Sequence, residues 1–331
     1  MMVTWVTFDY TETVVRYGPQ RPTRIVHGSS TSFQSKGKPV RTIWVHRVLL
    51  RGLTPGQTYR YNVGGKDGWS PLYTLQAKKS GSDWSPRLAL YGDLGNENGR
   101  SIATLQTMAQ QGDIDCVLHF GDMAYDMYEN NFKTGDEWMR QLEPIAAYVP
   151  YITSPGNHEA PYNFLNYNSR FTNIGLDGKI NNFYHSFNIG PLHVVMYSVE
   201  YYYFGNYYKE EDVRRQYEFI VKDLELCRLP PRLHGRGDIE VRLASVRISK
   251  KLERRGWFQE ATKPENRRKR PWIMTLTHRA MYCTSDDGDD CLRVTNRARV
   301  GHPKWGYALE PVFQHYGVDL HYCGHEHTYE R

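Results

Sequence analysis

Residues 87–95 read RLALYGDLG and residues 116–125 read CVLHFGDMAY. Each is a short apolar run, suited to a buried strand, that passes straight into a Gly-Asp turn. Three later segments repeat the arrangement. Tyr148–Thr153 leads into Gly156-Asn157-His158-Glu159, Trp272–Leu276 into Thr277-His278-Arg279, and Val318–Tyr322 into Gly324-His325-Glu326-His327. Between the first two runs, Ile102, Leu105 and Met108 recur at helical spacing, and Val213, Tyr217, Ile220, Val221 and Leu224 mark a second amphipathic helix. Strands alternating with helices predict an α/β domain with a parallel or mixed sheet and helices on its faces. In such sheets the loops beyond the carboxyl ends of the strands converge on one crevice, so five loops can meet.

The atoms those loops offer are two carboxylates, a phenol, an amide oxygen and several imidazoles. A mixed oxygen and nitrogen set suits Fe, Zn or Mn and is too rich in nitrogen for Ca²⁺ or Mg²⁺ alone. Seven ligands are too many for one ion with an open position. They suffice for two ions that share a carboxylate and leave room for water or substrate. His119, His193 and His321 lie inside strand runs and read as packed, structural histidines.

The first 79 residues have a different grammar. Val3–Phe8 and Thr42–Leu50 are rich in β-branched and aromatic residues, and Gly18-Pro19, Gly37-Lys38-Pro39 and Gly64-Gly65 are turn signals. Leu53, Pro55 and Tyr59, followed by the alternation Tyr59, Tyr61, Val63, look like the tyrosine corner of a β-sandwich. Residues 1–79 therefore resemble a fibronectin III-like sandwich that begins inside a strand. Residues 80–86 serve as linker, and residues 87–331 form the second domain.

The length of 331 residues accommodates two such domains, and no run of 18 apolar residues exists to span a membrane. Met1–Tyr10 lacks the basic region and long apolar run of a signal peptide. The net charge of +6 is local: Leu226–Gln259 holds seven Arg and two Lys against two Glu and one Asp, and the remainder is balanced. That balance argues against a nucleic-acid-binding protein. Among five cysteines there is no CxxC pair; Cys283 and Cys291 could close a short loop in an oxidising compartment, and the odd count leaves at least one thiol unpaired.

The run GDLG, GDMAY, GNHE, LTHR and GHEH resembles, motif by motif and in order, the metallophosphoesterases, and its tyrosine within the second motif resembles the purple acid phosphatases among them. The resemblance implies a β-sandwich followed by an α/β metallophosphoesterase domain, and hydrolysis of phosphate monoesters in a secreted or lysosomal setting. It implies a ferric site of Asp93, Asp122, Tyr125 and His327, with Asp122 bridging to a divalent Fe, Zn or Mn site completed by Asn157, His278 and His325. Tyr125 phenolate on Fe(III) would give a purple colour. His158, beside Asn157, would bind phosphate or protonate the leaving oxygen. The substrate would be a small phosphorylated molecule. A phosphodiesterase or nucleotide pyrophosphatase on the same site, or an inactive fragment, are the alternatives.

Departures from the family pattern set further expectations. Thr277 and Ala280 replace a Gly and a Pro that often flank the ligand histidine, so His278 is expected to be less rigidly held. The stretch Cys283–Cys291, with Asp286, Asp287, Asp289 and Asp290, lacks the His pair of the plant enzymes and reads as a solvated loop. Residues 226–259 read as a basic insertion foreign to the pattern, or else as a basic arm for anionic partners. Lys263–Arg270 reads as a charged loop. Ending at Arg331 leaves out the further strands the resemblance implies and places His325 and His327 on a strand at an exposed sheet edge.

Overall fold

The computed structural model describes residues 1–96, 99–225, 265–284, 288 and 291–330. The basic segment 226–259 and Asp286, Asp287, Asp289 and Asp290 lie outside the described residues.

The amino-terminal part is two β-sheets. One contains β1 (Met2–Thr7), β4 (Ser29–Gln34) and β5 (Thr42–Leu49), in the order β1-β5-β4. The other contains β2 (Val14–Gly18), β3 (Arg24–His27), β6 (Thr58–Gly65), β7 (Gly68–Trp69) and β8 (Tyr73–Gln76), in which β2 and β8 both pair with β6. Val3, Val15, Val48, Tyr59, Tyr61 and Leu75 fill the space between the sheets. The Tyr59 hydroxyl accepts the Thr54 amide at 3.0 Å, which closes the corner.

The second part is built on two more sheets. The first is parallel, with order β11-β10-β9, from β9 (Leu88–Tyr91), β10 (Cys116–Phe120) and β11 (Tyr151–Ser154). Crossing between them are α1 (Ile102–Gln111) and α2 (Glu129–Ala146), and α3 (Pro161–Arg170) follows β11. The second sheet is mixed: β12 (His185–Ile189) and β13 (Leu192–Met196) form a hairpin, and β14 (Trp272–Leu276) and β15 (Leu320–Tyr322) add in parallel. Its helices are α4 (Glu210–Glu225), α5 (Glu265–Lys269), α6 (Arg297–Val300) and α7 (Glu310–Tyr316). Lys263–Arg270 was expected to be a loop. Its Glu-Asn-Arg-Arg-Lys core is instead helical, as its long-chain residues favour, and Arg267 fastens it to Asp319 at 2.8 Å.

Strand alternation explains how the sheets stack. From β10, Cys116, Leu118 and Phe120 pack against Val194 and Met196 of β13 and Met274 and Leu276 of β14. Val117 points the other way, onto Leu105, Leu142 and Ile145 of the helical layer. Val195 and Ile273 likewise meet Val213, Ile220, Leu224 and Val312. The sheets thus share one apolar layer, with helices outside both. Their carboxyl ends open on the same side.

The two parts are clasped by buried polar contacts. Asp136 of α2 pairs with Arg170 of α3 at 2.8 Å and with Arg41 from the first part, and Arg170 is fully buried. Arg47 donates to the Ser169 carbonyl at 2.6 Å, and the Tyr61 hydroxyl donates to the Ala147 carbonyl at 2.6 Å.

Candidate metal centre

The five loops after β9, β10, β11, β14 and β15 do meet. Asp93, Asp122, Tyr125 and His325 have φ of 57°, 48°, 41° and 73°. L-residues rarely adopt this left-handed region, and it concentrates where a backbone must aim a side chain for function. The glycines permit close approach: a Cβ at Gly156 would lie 2.2 Å from Asp122 Oδ1, and one at Gly324 would lie 2.4 Å from Asp93 Oδ2.

The side chains fall into two touching groups. In one, the Tyr125 hydroxyl donates to Asp93 Oδ1 at 3.0 Å and stands 2.7 Å from His327 Nε2. In the other, His278 Nε2 stands 3.0 Å from Asn157 Oδ1, 3.2 Å from Asp122 Oδ2 and 3.2 Å from His325 Nδ1. The His325 amide donates to Asp93 Oδ2 at 2.9 Å and joins the groups. His325 and His327 sit in the loop beyond β15 and not on the strand itself, which ends at Tyr322.

Electrostatics reveals what such a set requires. His278 Nδ1 faces the Phe120 carbonyl at 3.1 Å and must donate to it. Its Nε2 then faces two acceptors, the Asn157 amide oxygen and the Asp122 carboxylate, so without an ion between them it must carry a proton. Burial pushes the His278 imidazolium down, but Asp122, by charge and hydrogen bond, and then Asp93 and Glu200 outweigh it and raise the group to about 10. Burial raises Asp122 in turn, and His278, with the His158 amide, takes it down to about 2. Burial, then the charges of Asp93 and Asp122, push the Tyr125 phenol far above its ordinary value. Three acceptors aimed at one point call for a positive charge, either a proton or a metal ion. Asp122, His278 and His325 offer ligand atoms all within 4.8 Å of one another. The donor set therefore fits metal ions.

His158 leans over this assembly. Its amide donates to Asp122 Oδ1 at 3.0 Å, its Nδ1–H donates to Asp126 at 2.6 Å, and its ring centre lies 4.5 Å from that of Tyr125. Asp126 was not singled out in the sequence, although it directly follows Tyr125. Glu159 was quoted within its motif without a role. It accepts the amides of Asp122, Met123 and Gly156, and burial, then Asp122, raises its carboxyl to about 7 against those backbone bonds. A cleft of about 430 Å³ opens beside Asp93, Tyr125 and His327, bordered by Asn96, Glu129 and Glu137.

The expectation that His278 is loosely held fails. Thr277 Oγ1 accepts the Val199 amide at 3.2 Å, Asn296 Nδ2 donates to the Ala280 carbonyl at 3.1 Å, and His278 is wholly buried. Arg279 adds a further brace, its Nε 3.0 Å from the buried Glu200 carboxylate and its Nη1 2.9 Å from His325 Nε2. Cys283 and Cys291 form a disulfide, with Cα atoms 5.5 Å apart. His119, His193 and His321 are engaged by Tyr151, by Asp223 and Asn188, and by Thr275.

A family model described as calcineurin-like phosphoesterase matches residues 86–329, and one described as purple acid phosphatase, N-terminal domain, matches residues 1–77. The chain belongs to this phosphatase family. It is similar to acid phosphatase type 7 of Danio rerio, with 40% identity over 339 residues covering 100% of this chain and 68% of that protein. Similarity to the Homo sapiens protein of the same name is 39% over 334 residues, covering 100% and 67%. The chain thus spans about two thirds of the length of these relatives. The structure of a purple acid phosphatase from yellow lupin seeds superposes with a TM-score of 0.66 at 22% identity, over 98% of this chain and 56% of that one, and shares its fold.

Proposed function

We propose that this chain hydrolyses phosphate monoesters at a centre of two metal ions. Asp93, Asp122, Tyr125 and His327 would hold a ferric ion, and Asp122, Asn157, His278 and His325 a divalent Fe, Zn or Mn ion. The observation that carries the reading is the meeting of these seven donors, from five loops, in two groups joined through Asp93 and His325. When bound, two such ions supply neutralisation of the phosphate dianion and a lowered pKa for water.

The residues of the chain supply the rest. The cleft beside Asp93, Tyr125 and His327 is large enough for a small phosphorylated substrate. Asp126 holds His158 Nδ1–H, which leaves Nε2 to bind a phosphate oxygen or hand a proton to the leaving oxygen. Arg279, anchored by Glu200, keeps a positive charge at the His325 side. A secreted or lysosomal setting belongs to the same proposal, and the Cys283–Cys291 disulfide supports it. Among the described residues no helix is long and apolar enough to cross a membrane.

Metal content and a visible spectrum of the purified chain test the proposal. Two metals per chain, one of them iron, and an absorption band lost in Tyr125→Phe are expected. An aryl phosphate should be hydrolysed faster than the corresponding diester. A preference for the diester points to the phosphodiesterase alternative, and a folded, colourless chain without metal sinks both readings.

A further inference from the structure

We propose that Glu159 is a positioning residue that fixes the Asp122 carboxylate, the donor that the metal-centre reading shares between both ions. It closes a short 3-10 turn, Asn157–Glu159, and only 3% of it is exposed. Its Oε2 accepts the Asp122 amide at 2.9 Å and the Gly156 amide at 2.8 Å, and its Oε1 accepts the Met123 amide at 3.0 Å. One carboxylate thereby staples the loop after β10 to the loop after β11.

The staple acts at a strained point. Asp122 has φ of 48°, in the left-handed region that few non-glycine residues occupy. Glu159 ties down the amide of Asp122 and that of the next residue, and so fixes the backbone there. The amide of His158, the residue just before Glu159, fixes the side chain by donating to Asp122 Oδ1 at 3.0 Å. Gly156 brings its backbone so close that a Cβ there would lie 2.2 Å from the same oxygen. The carboxylate is left a single orientation, with Oδ2 toward His278.

The chemistry of the side chain is specific. Three buried N–H groups divided between two oxygens need acceptors at both, which the ionised carboxylate, the form those amides favour, supplies. Glutamine has the same shape but turns its own NH₂ against one or two of these amides. Aspartate is a methylene too short to reach both loops.

The inference rests on the metal-centre reading, in which Asp122 serves both ions, and it predicts a loss shared by both. The test uses the full chain stripped by chelator and titrated with Zn²⁺ by calorimetry, together with hydrogen exchange of the metal-free wild type. Glu159→Gln should fold cooperatively yet bind more weakly at both sites, by ten- to a hundredfold. Asn157→Ala should weaken one site and spare the other. In the metal-free wild type, the amides of Asp122, Met123 and Gly156 should be protected, a measurement that needs no variant to fold. A wild type that takes up fewer than two ions overturns the metal-centre reading. A wild type that takes up two, with Glu159→Gln matching it at both sites, overturns the positioning role alone, as does rapid exchange of the three amides.

Discussion

Acid stability gives the sharpest test of the interior. His185 on β12 is 1% exposed and lies in a stacked arrangement with Phe187, ring centres 6.3 Å apart. Burial lowers it from 6.5 to about 4, against a small opposing effect of the Asn181 backbone. The native chain therefore binds fewer protons than the unfolded chain between those two values. Stability rises with pH wherever the unfolded state binds more protons. The contribution is intact above about pH 6.5 and is lost as pH falls toward 4, at about 1.4 kcal/mol per pH unit, or about 3 kcal/mol in all. His185→Phe removes the titration and keeps an apolar ring. Urea unfolding of both chains from pH 8 to pH 4 gives the comparison. The wild type should lose about 3 kcal/mol relative to the variant across that window, whatever their offset at pH 8. Parallel curves would refute the reasoning, because a histidine already charged or solvated in the folded state has nothing to lose.

Three further outcomes follow from contacts described above. Asp126→Asn should leave KM nearly unchanged and lower kcat by about ten- to a hundredfold, and the loss should shrink as the leaving group becomes a better one in a series of aryl phosphates. Asp136→Ala strands the buried Arg170 and should cost about 3–5 kcal/mol in urea unfolding, whereas Arg41→Ala should cost less, since that guanidinium remains partly solvated. Gly156→Ala introduces a Cβ where Asp122 Oδ1 already stands, and calorimetry with Zn²⁺ should show metal uptake weakened by at least about tenfold, with activity falling by about a hundredfold.

Much of this architecture was legible because its signals are short-range. The apolar runs at β9, β10 and β14 each pass within a residue or two into a Gly- or His-bearing turn, so strand, turn and ligand type are read together. Thr54 and Tyr59 likewise close their corner across five positions. What escaped depends on distance in sequence or on weak periodicity. Helix α2 contains Gly135 and Pro144, and buries Thr134 and Asp136 along with Trp138, so its buried face is not an apolar stripe. The clasp of Arg41, Asp136 and Arg170 joins residues up to 95 apart, and no local pattern distinguishes those charges from solvated ones. At the site, Asp126 and Glu159 were overlooked because each neighbours a residue with a more conspicuous role. His278 was expected to be loose because its flanking residues were unusual, and its anchors, Phe120, Val199 and Asn296, come from elsewhere in the chain.

The shared apolar layer between the two sheets has a consequence for the order of events during biosynthesis. Asp93, Asp122 and Asn157 belong to one sheet's loops, and His278, His325 and His327 to the other's. No half of this set can be completed until the faces carrying Leu118 and Met274 have closed on each other. If the centre binds ions as proposed, capture would follow closure of that layer and would lock the two sheets together by mass action. In the proposed two-metal reading, a chain stalled with its sheets apart would lack a complete donor set for either ion.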